Sequence, residues 1–351
     1  MKSWELFCRV IDNHGDLGVC WRLARQLAVA GCVVRLWVDD AAALAWMAPE
    51  GVPQGIEVLP WEAAAAAQTV GDVVIEAFGC ELPEPFVARM AARAPAPAWI
   101  NLEYLSAEAY VERSHGLASP QFSGPGRGLR KFFFYPGFTA RTGGLLREPG
   151  LLEAAAAFDA EAWLRARGIE RRPGERLVSL FAYPNPALPQ LVELLGRRPT
   201  LLLACPGAAP QALARLPLPP ALRWQALPYL SQDDYDRLLW ACELNCVRGE
   251  DSFVRAQWAG RPFIWHIYPQ DDGAHGPKLE AFMDRWLAGA EPTLAGPWRR
   301  LWRAWNGLAD WGGVALPAPQ AAREQALAWR AQLAAQPDLL SQLRDFLAKS
   351  S

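Results

Sequence analysis

The sequence predicts an α/β protein made of two open, doubly wound units in succession, facing each other across a central cleft. Three observations predict it. Short apolar runs rich in β-branched and aromatic residues alternate with amphipathic stretches, and this alternation breaks between residues 111 and 150 and then restarts. The chain has 351 residues, 52% of them hydrophobic, which exceeds one ordinary core and suits two. The expected boundaries are residues 1–150 for the first domain, 151–325 for the second, and 326–351 for C-terminal helices that pack back on the first domain.

Each element follows from its pattern. "WELFCRVI" and "CVVRLWVD" read as strands separated by a helix in "VCWRLARQLAVAG", whose Leu23, Leu27 and Val29 suit an apolar face closed by Gly31. "GIEVLPW", "GDVVIEAF" and "APAWINLEY" continue the rhythm, and near-continuous apolar strands argue for a parallel sheet covered on both faces. The Gly-, Pro- and Arg-rich stretch from 111 to 150 reads as loops. The second unit opens with a helix at "LLEAAAAFDAEAWLRARG", then strands at "RLVSLFAY", "TLLLAC" and "LRWQALPY" with a helix after Pro186. A helix across Asp233 to Ala241, a strand "ELNCV", a loop "RGEDS", a helix "FVRAQWAG" and a strand "PFIWHIY" follow. Everything beyond reads as helical, with Trp298, Trp302 and Trp305 on one face as packing residues.

Composition excludes several function classes. A formal net charge of −2 gives no basic field for a nucleic-acid backbone. The start, Met1-Lys2-Ser3-Trp4-Glu5, has no basic segment leading into a long apolar one, and no apolar run reaches membrane-spanning length, so no membrane partner and a cytoplasmic location are expected. Seven scattered cysteines without paired spacing read as reduced core residues. The four histidines form no metal motif, and the acids of "DYD" at 234–236 point to different sides of a helix, so no metal site is expected.

Ligands of such sheets bind beyond the carboxyl ends of the strands, which directs attention to the loops there. In "IDNHGDLG" the spacing of Gly15 and Gly18 is not that of a dinucleotide loop, and Asp12 and Asp16 would repel a pyrophosphate. Such a loop suits a cation or a proton donor. The structural alternative has Asp16 capping a helix that begins near Leu17 and Asp12 closing an Asx turn. In "VRGEDSF" a strand delivers Arg248, Gly249, Glu250, Asp251 and Ser252 to a helix start, where backbone N–H groups favour anions; Ser252 or Asp251 acting only as an N-cap is the alternative. Phe181 and Tyr183 end a strand, and Gln232 and Tyr235 open a helix, which is the equipment for holding a flat base.

Taken together, "FCRVIDNHGDLGVCWRLARQLA", "SLFAYPNP", "WINLEYLSAE" and the long run from "LSQDDYDRLL" to "DDGAHGPKL" resemble the bacterial protein-arginine rhamnosyltransferase family that modifies translation elongation factor P. The resemblance implies a GT-B glycosyltransferase architecture of two Rossmann-like domains. It implies metal-independent transfer of L-rhamnose from dTDP-β-L-rhamnose to an arginine nitrogen, with inversion and no cofactor. Asp16 matches the family's general base, Glu250 its second catalytic acid and Asp12 its other loop acid. Asn13, Phe181, Tyr183, Gln232, Asp251 and Ser252 match its donor contacts, with Tyr235 stacking on thymine and Gly15 allowing close backbone approach. Arg248 or Arg255 would assist the diphosphate. Two other readings stay open: a scaffold that keeps a sugar-nucleotide cleft without turnover, and an NAD-dependent oxidoreductase.

Overall fold

A computed structural model describes residues 2–11, 14–270 and 273–350. The chain divides into two compact units, Met1–Glu148 together with Ala334–Ser351, and Pro149–Leu333.

The first unit is built from β1 (Ser3–Cys8), α1 (Gly15–Val29), β2 (Val33–Val38), α2 (Leu44–Met47), β3 (Ile56–Pro60), β4 (Val73–Ala77), α3 (Glu84–Ala92), β5 (Ala98–Leu102), α4 (Ala109–Ser114), β6 (Ala118–Pro120) and β7 (Arg130–Phe134). Its strands run in the order β3-β2-β1-β4-β5-β7-β6, all parallel except β6. Alternation along β1 sends Trp4, Leu6 and Cys8 into one buried layer with Leu23 and Leu27, and Phe7 into another with Trp37 and Phe86. Burial on both faces is what a parallel sheet requires.

The second unit contains α5 (Leu151–Ala156), α6 (Ala160–Ala166), β8 (Arg176–Leu180), α7 (Leu188–Leu195), β9 (Thr200–Ala204), α8 (Ala208–Leu213), β10 (Leu222–Ala226), α9 (Gln232–Ala241), β11 (Leu244–Arg248), α10 (Asp251–Ala259), β12 (Phe263–His266), α11 (His275–Trp286), α12 (Pro292–Trp305) and α13 (Pro319–Ala334). Its five strands are parallel in the order β10-β9-β8-β11-β12. Trp298, Trp302 and Trp305 are each at most 1% exposed, and Trp302 donates its indole N–H to the Phe263 carbonyl at 3.0 Å, so the tryptophan face is core.

Four expectations need correcting. The single helix expected from residue 151 is two, because Asp159 accepts the Ala162 N–H and so caps a new helix. The loop-rich stretch contains β6 and β7; the run "RKFFF" pairs with β5 and is covered by Phe346, whose ring lies 5.3 Å from that of Phe132. Val29 is 80% exposed, because the apolar face of α1 ends at Leu27. The second boundary falls at 333/334 rather than 325/326, since α13 is continuous through that point and its Trp329 packs on Phe282. The last helix, α14 (Leu339–Ser350), belongs to the first unit, where Leu339, Leu343 and Leu347 join the layer containing β1 and α1.

Candidate active site

In each sheet the strand order reverses at one point: between β1 and β4 in the first unit, and between β8 and β11 in the second. Loops leaving neighbouring strands there diverge to opposite faces of the sheet and open a crevice. The loop with Asp16 leaves β1, and the loops with Phe181 and Glu250 leave β8 and β11. Each candidate loop therefore stands at a switch point of its own sheet.

In the first unit α1 begins at Gly15, so Asp16 lies within the first turn and is not the cap expected of it. Its carboxylate, 3% exposed, reaches back to accept the Ile11 N–H at 2.9 Å. A second carboxylate, Asp39 at the end of β2, accepts the Val10 N–H at 3.0 Å. Two acids thus pin adjacent residues where the loop leaves β1, and His14 sits edge-on to Trp46 at 5.5 Å. Asp12 and Asn13 lie outside the described residues.

In the second unit the parallel register sets Arg248 beside His266. The Arg248 guanidinium lies 4.1 Å from the Phe181 ring centre and 4.7 Å from that of Tyr183, a cation held on two aromatic faces. Tyr235 meets Phe181 edge-on at 5.9 Å, and Tyr183 meets His266 and Tyr268 at 5.3 and 5.4 Å. Gly207 completes this rim: its φ of +130° is a conformation that favours glycine, and the Arg248 side chain lies 3.9 Å from where a Cβ would stand, an ordinary contact distance. Gln232 is buried at the start of α9, which Ser231 caps by accepting the Asp234 N–H at 3.1 Å.

The turn "RGEDS" is held from below. Trp265 donates to the Gly249 carbonyl at 2.8 Å, and Gly249 takes the left-handed conformation, φ +59°. Glu250 occupies the N-cap position of α10 without a side-chain capping hydrogen bond, and Asp251 lies in the first turn, both half-buried. The Ser252 hydroxyl accepts the Arg248 N–H at 3.0 Å and donates to the Arg248 carbonyl, so it fastens the loop. Arg255 is 2% exposed and bound through two nitrogens to Asp236 at 2.8 and 2.7 Å. It braces α10 against α9. Asp234, the other acid of "DYD", faces away to Arg167 and Arg237.

Burial drives the electrostatics of this rim. It pushes the Tyr235 phenol well above its ordinary value, aided by the nearby Cys205 and, after an opposing pull from Ser252, by Asp251 and Asp236. The Tyr235 hydroxyl is buried without a hydrogen-bond partner among the described residues. Burial first, and then the charge of Arg248, bring His266 down to about 4, so its imidazole is neutral near pH 7. Sequence reading missed His266, Asp39, Gly207 and the Asp236–Arg255 brace. The signal for His266 was the strand register; nothing in the one-dimensional pattern marks the other three. Among the described residues no group of three His, Cys, Asp or Glu side chains gathers as metal ligands, and no helix is long and apolar enough to cross a membrane.

Residues 4–348 match the family described as Elongation-Factor P (EF-P) rhamnosyltransferase EarP. The chain belongs to the EarP family. Among curated relatives, the protein-arginine rhamnosyltransferase of Pseudomonas aeruginosa is 48% identical over 99% of both chains, and that of Neisseria meningitidis is 39% identical over 98% of this chain and 96% of the relative. A solved structure described as the basis for EarP-mediated arginine glycosylation of translation elongation factor EF-P covers 100% of both chains, with 35% identity and a TM-score of 0.68. The glycosyltransferase VinC in complex with DTDP, 16% identical with a TM-score of 0.53 over 98% of both chains, shares the fold. The EarP chain is thus a GT-B glycosyltransferase with two Rossmann-like domains, and a protein-arginine rhamnosyltransferase.

Proposed function

We propose that this EarP enzyme transfers L-rhamnose from dTDP-β-L-rhamnose to an arginine side chain of translation elongation factor P, in the cytoplasm, with inversion at the anomeric carbon. The observation that carries the reading is the contrast between the two switch-point loops. One presents a buried carboxylate, Asp16, at a helix start; the other presents a cation on aromatic rings, Arg248, beside the start of α10. A carboxylate suits a cationic acceptor, and the second loop suits a nucleoside diphosphate.

The chemistry follows from the acceptor. A guanidinium is charged at physiological pH and its nitrogen lone pairs are delocalised, so it is a poor nucleophile until a proton leaves. Asp16 pairs with the guanidinium, turns one nitrogen toward the anomeric carbon and takes the proton as the C–N bond forms. The bond from the anomeric carbon to the diphosphate oxygen breaks in the same displacement, and dTDP carries away the electron pair. Inversion follows from attack opposite the leaving group, with no glycosyl-enzyme intermediate. Glu250 acts as the second catalytic acid and Asp12 as the other loop acid, Asn13 is a donor contact, and Gly15 allows close backbone approach.

On the donor side, the backbone N–H groups at Asp251 and Ser252 and the Arg248 guanidinium receive the diphosphate, with no metal required. Phe181, Tyr183 and Tyr235 flank the thymine, and Gln232 addresses its polar edge. Incubation with dTDP-β-L-rhamnose and elongation factor P, read by intact mass, tests this: one deoxyhexose on arginine is expected. An unmodified acceptor beside intact donor would refute it, and would favour the scaffold reading if dTDP still bound.

A further inference from the structure

The second unit holds a cavity of about 590 Å³ at the amino-terminal edge of its sheet, the end opposite Phe181 and Arg248. Arg176, Arg197, Arg198, Arg261 and Arg323 line it against one acid, Glu243. Their positions follow from the fold: Arg176 opens β8, Glu243 immediately precedes β11, Arg261 stands two residues before β12, and Arg197 and Arg198 lie in the turn after α7. Parallel strands bring all these starts to one edge. The volume is that of a small-molecule site.

The hydrogen bonds these arginines make leave their charges uncompensated. Arg176 donates to the Thr200 hydroxyl and the Leu195 carbonyl, both at 2.9 Å. Arg261 donates to the Trp240 carbonyl at 3.1 Å, and Arg323 to that of Gly260 at 2.6 Å. Among the described residues only Arg198 reaches a carboxylate, Glu243, at a long 4.0 Å. Structural arginines of the same unit are satisfied differently: Arg255 is bound to Asp236, Arg223 to Glu175 and Arg167 to Asp234. Arg176 is buried and Arg261 and Arg323 half-buried, while Arg197 and Arg198 stand at the exposed rim; placing the three inner charges together without counter-charge is costly unless an anion supplies it. Burial and the neighbouring arginines bring Arg176 and Arg323 down to about 10, and both remain cationic at pH 7. Trp298 also lines the cavity, 1% exposed, and its indole N–H has no acceptor among the described residues.

We propose that this cavity is a second anion site, separate from the donor loops, which takes a compact phosphate-bearing ligand of about pyrophosphate size. Each guanidinium has five N–H donors in a planar fork, and those not given to backbone oxygens match phosphate oxygens. A nucleotide would add its ring to the apolar wall; a bare polyphosphate would not.

The test is calorimetry on the full chain, with inorganic pyrophosphate in one arm and ATP in the other, each in the presence of saturating dTDP. Arg198→Glu is compared with Arg165→Glu, which changes the net charge equally from α6, outside the lining. Both are surface substitutions, so folding is preserved. One equivalent of pyrophosphate or ATP is expected to bind, at least about tenfold more weakly to Arg198→Glu and within about twofold of wild type to Arg165→Glu. Tighter binding of ATP assigns the ligand as a nucleotide, and tighter binding of pyrophosphate as a bare phosphate. Absence of binding in both arms, equal weakening by the two variants, or displacement of either ligand by dTDP would overturn the proposal. The comparison of charge reversals stands whether or not dTDP itself binds.

Discussion

Asp16 holds its loop by accepting the Ile11 N–H, and an asparagine carbonyl can accept the same bond. Asp16→Asn therefore removes the charge and the proton acceptor but not the anchor. It is expected to melt within a few degrees of wild type while turnover falls by about 10²–10⁴-fold, the usual contribution of a general base; rates near wild type would remove Asp16 from the mechanism. His266 yields a second outcome. Its folded pKa, about 4, lies below the ordinary 6.5, so on acidification the unfolded chain takes up a proton that the folded one refuses, and stability is lost as pH falls from 6.5 toward 4. A shift of this size corresponds to about 3 kcal/mol. In urea titrations the stability of wild type relative to His266→Asn should fall by up to that amount between pH 7 and 4.5, and a pH-independent difference would contradict the burial argument. Asp16, Phe181, Tyr183 and Glu250 were legible because polar or aromatic residues at the ends of apolar strands have few structural reasons to be there. The contacts of Ser252 and Arg255, a hydroxyl turned to its own loop and an arginine turned to Asp236, are ones that spacing does not encode.

At the scale of elements, the strands were readable and the interruptions were not. The apolar runs of β4, β8 and β9, buried along their whole length, leave no alternative to a sheet covered on both faces. The break between α5 and α6 rests on one capping carboxylate, Asp159, inside an alanine-rich pattern that would otherwise continue as helix. The strand β7 was hidden by the glycines and prolines around it, and its cover comes from Phe346, more than two hundred residues away in sequence. The two helices that carry the donor residues are joined by the buried Asp236–Arg255 pair. Arg255→Ala would leave the Asp236 charge buried without its counter-ion, which costs about 3–5 kcal/mol when a buried pair is broken. Chemical denaturation should show that loss, and donor affinity should fall with it because α9 and α10 lose their common register. An undiminished midpoint would mean that the brace contributes nothing.

For the whole molecule, Asp16 and the ring-stacked Arg248 are divided between two units with separate sheets and cores, Arg248 sharing its loop with the acids Glu250 and Asp251. Of the proposed donor contacts, those from Phe181 to Ser252 lie in the second unit, whereas Gly15 and the proposed base Asp16 lie in the first. If the division is functional, nucleotide affinity and acceptor chemistry should be separable by single substitutions. Arg248→Ala removes one charge-assisted contact to the diphosphate, worth about 1.5–3 kcal/mol, and should weaken dTDP binding by about 10- to 150-fold. Asp16→Asn should leave dTDP affinity within about twofold of wild type, even though it abolishes most turnover. The converse holds for the acceptor: at saturating donor, Arg248→Ala should recover a larger share of wild-type turnover than Asp16→Asn does, because excess nucleotide sugar compensates for weak binding but not for a missing base. Calorimetry with dTDP, beside rates measured at rising donor concentration, decides the matter. A marked loss of dTDP affinity in Asp16→Asn would place the phosphates against the acidic loop and reverse the assignment of the two units.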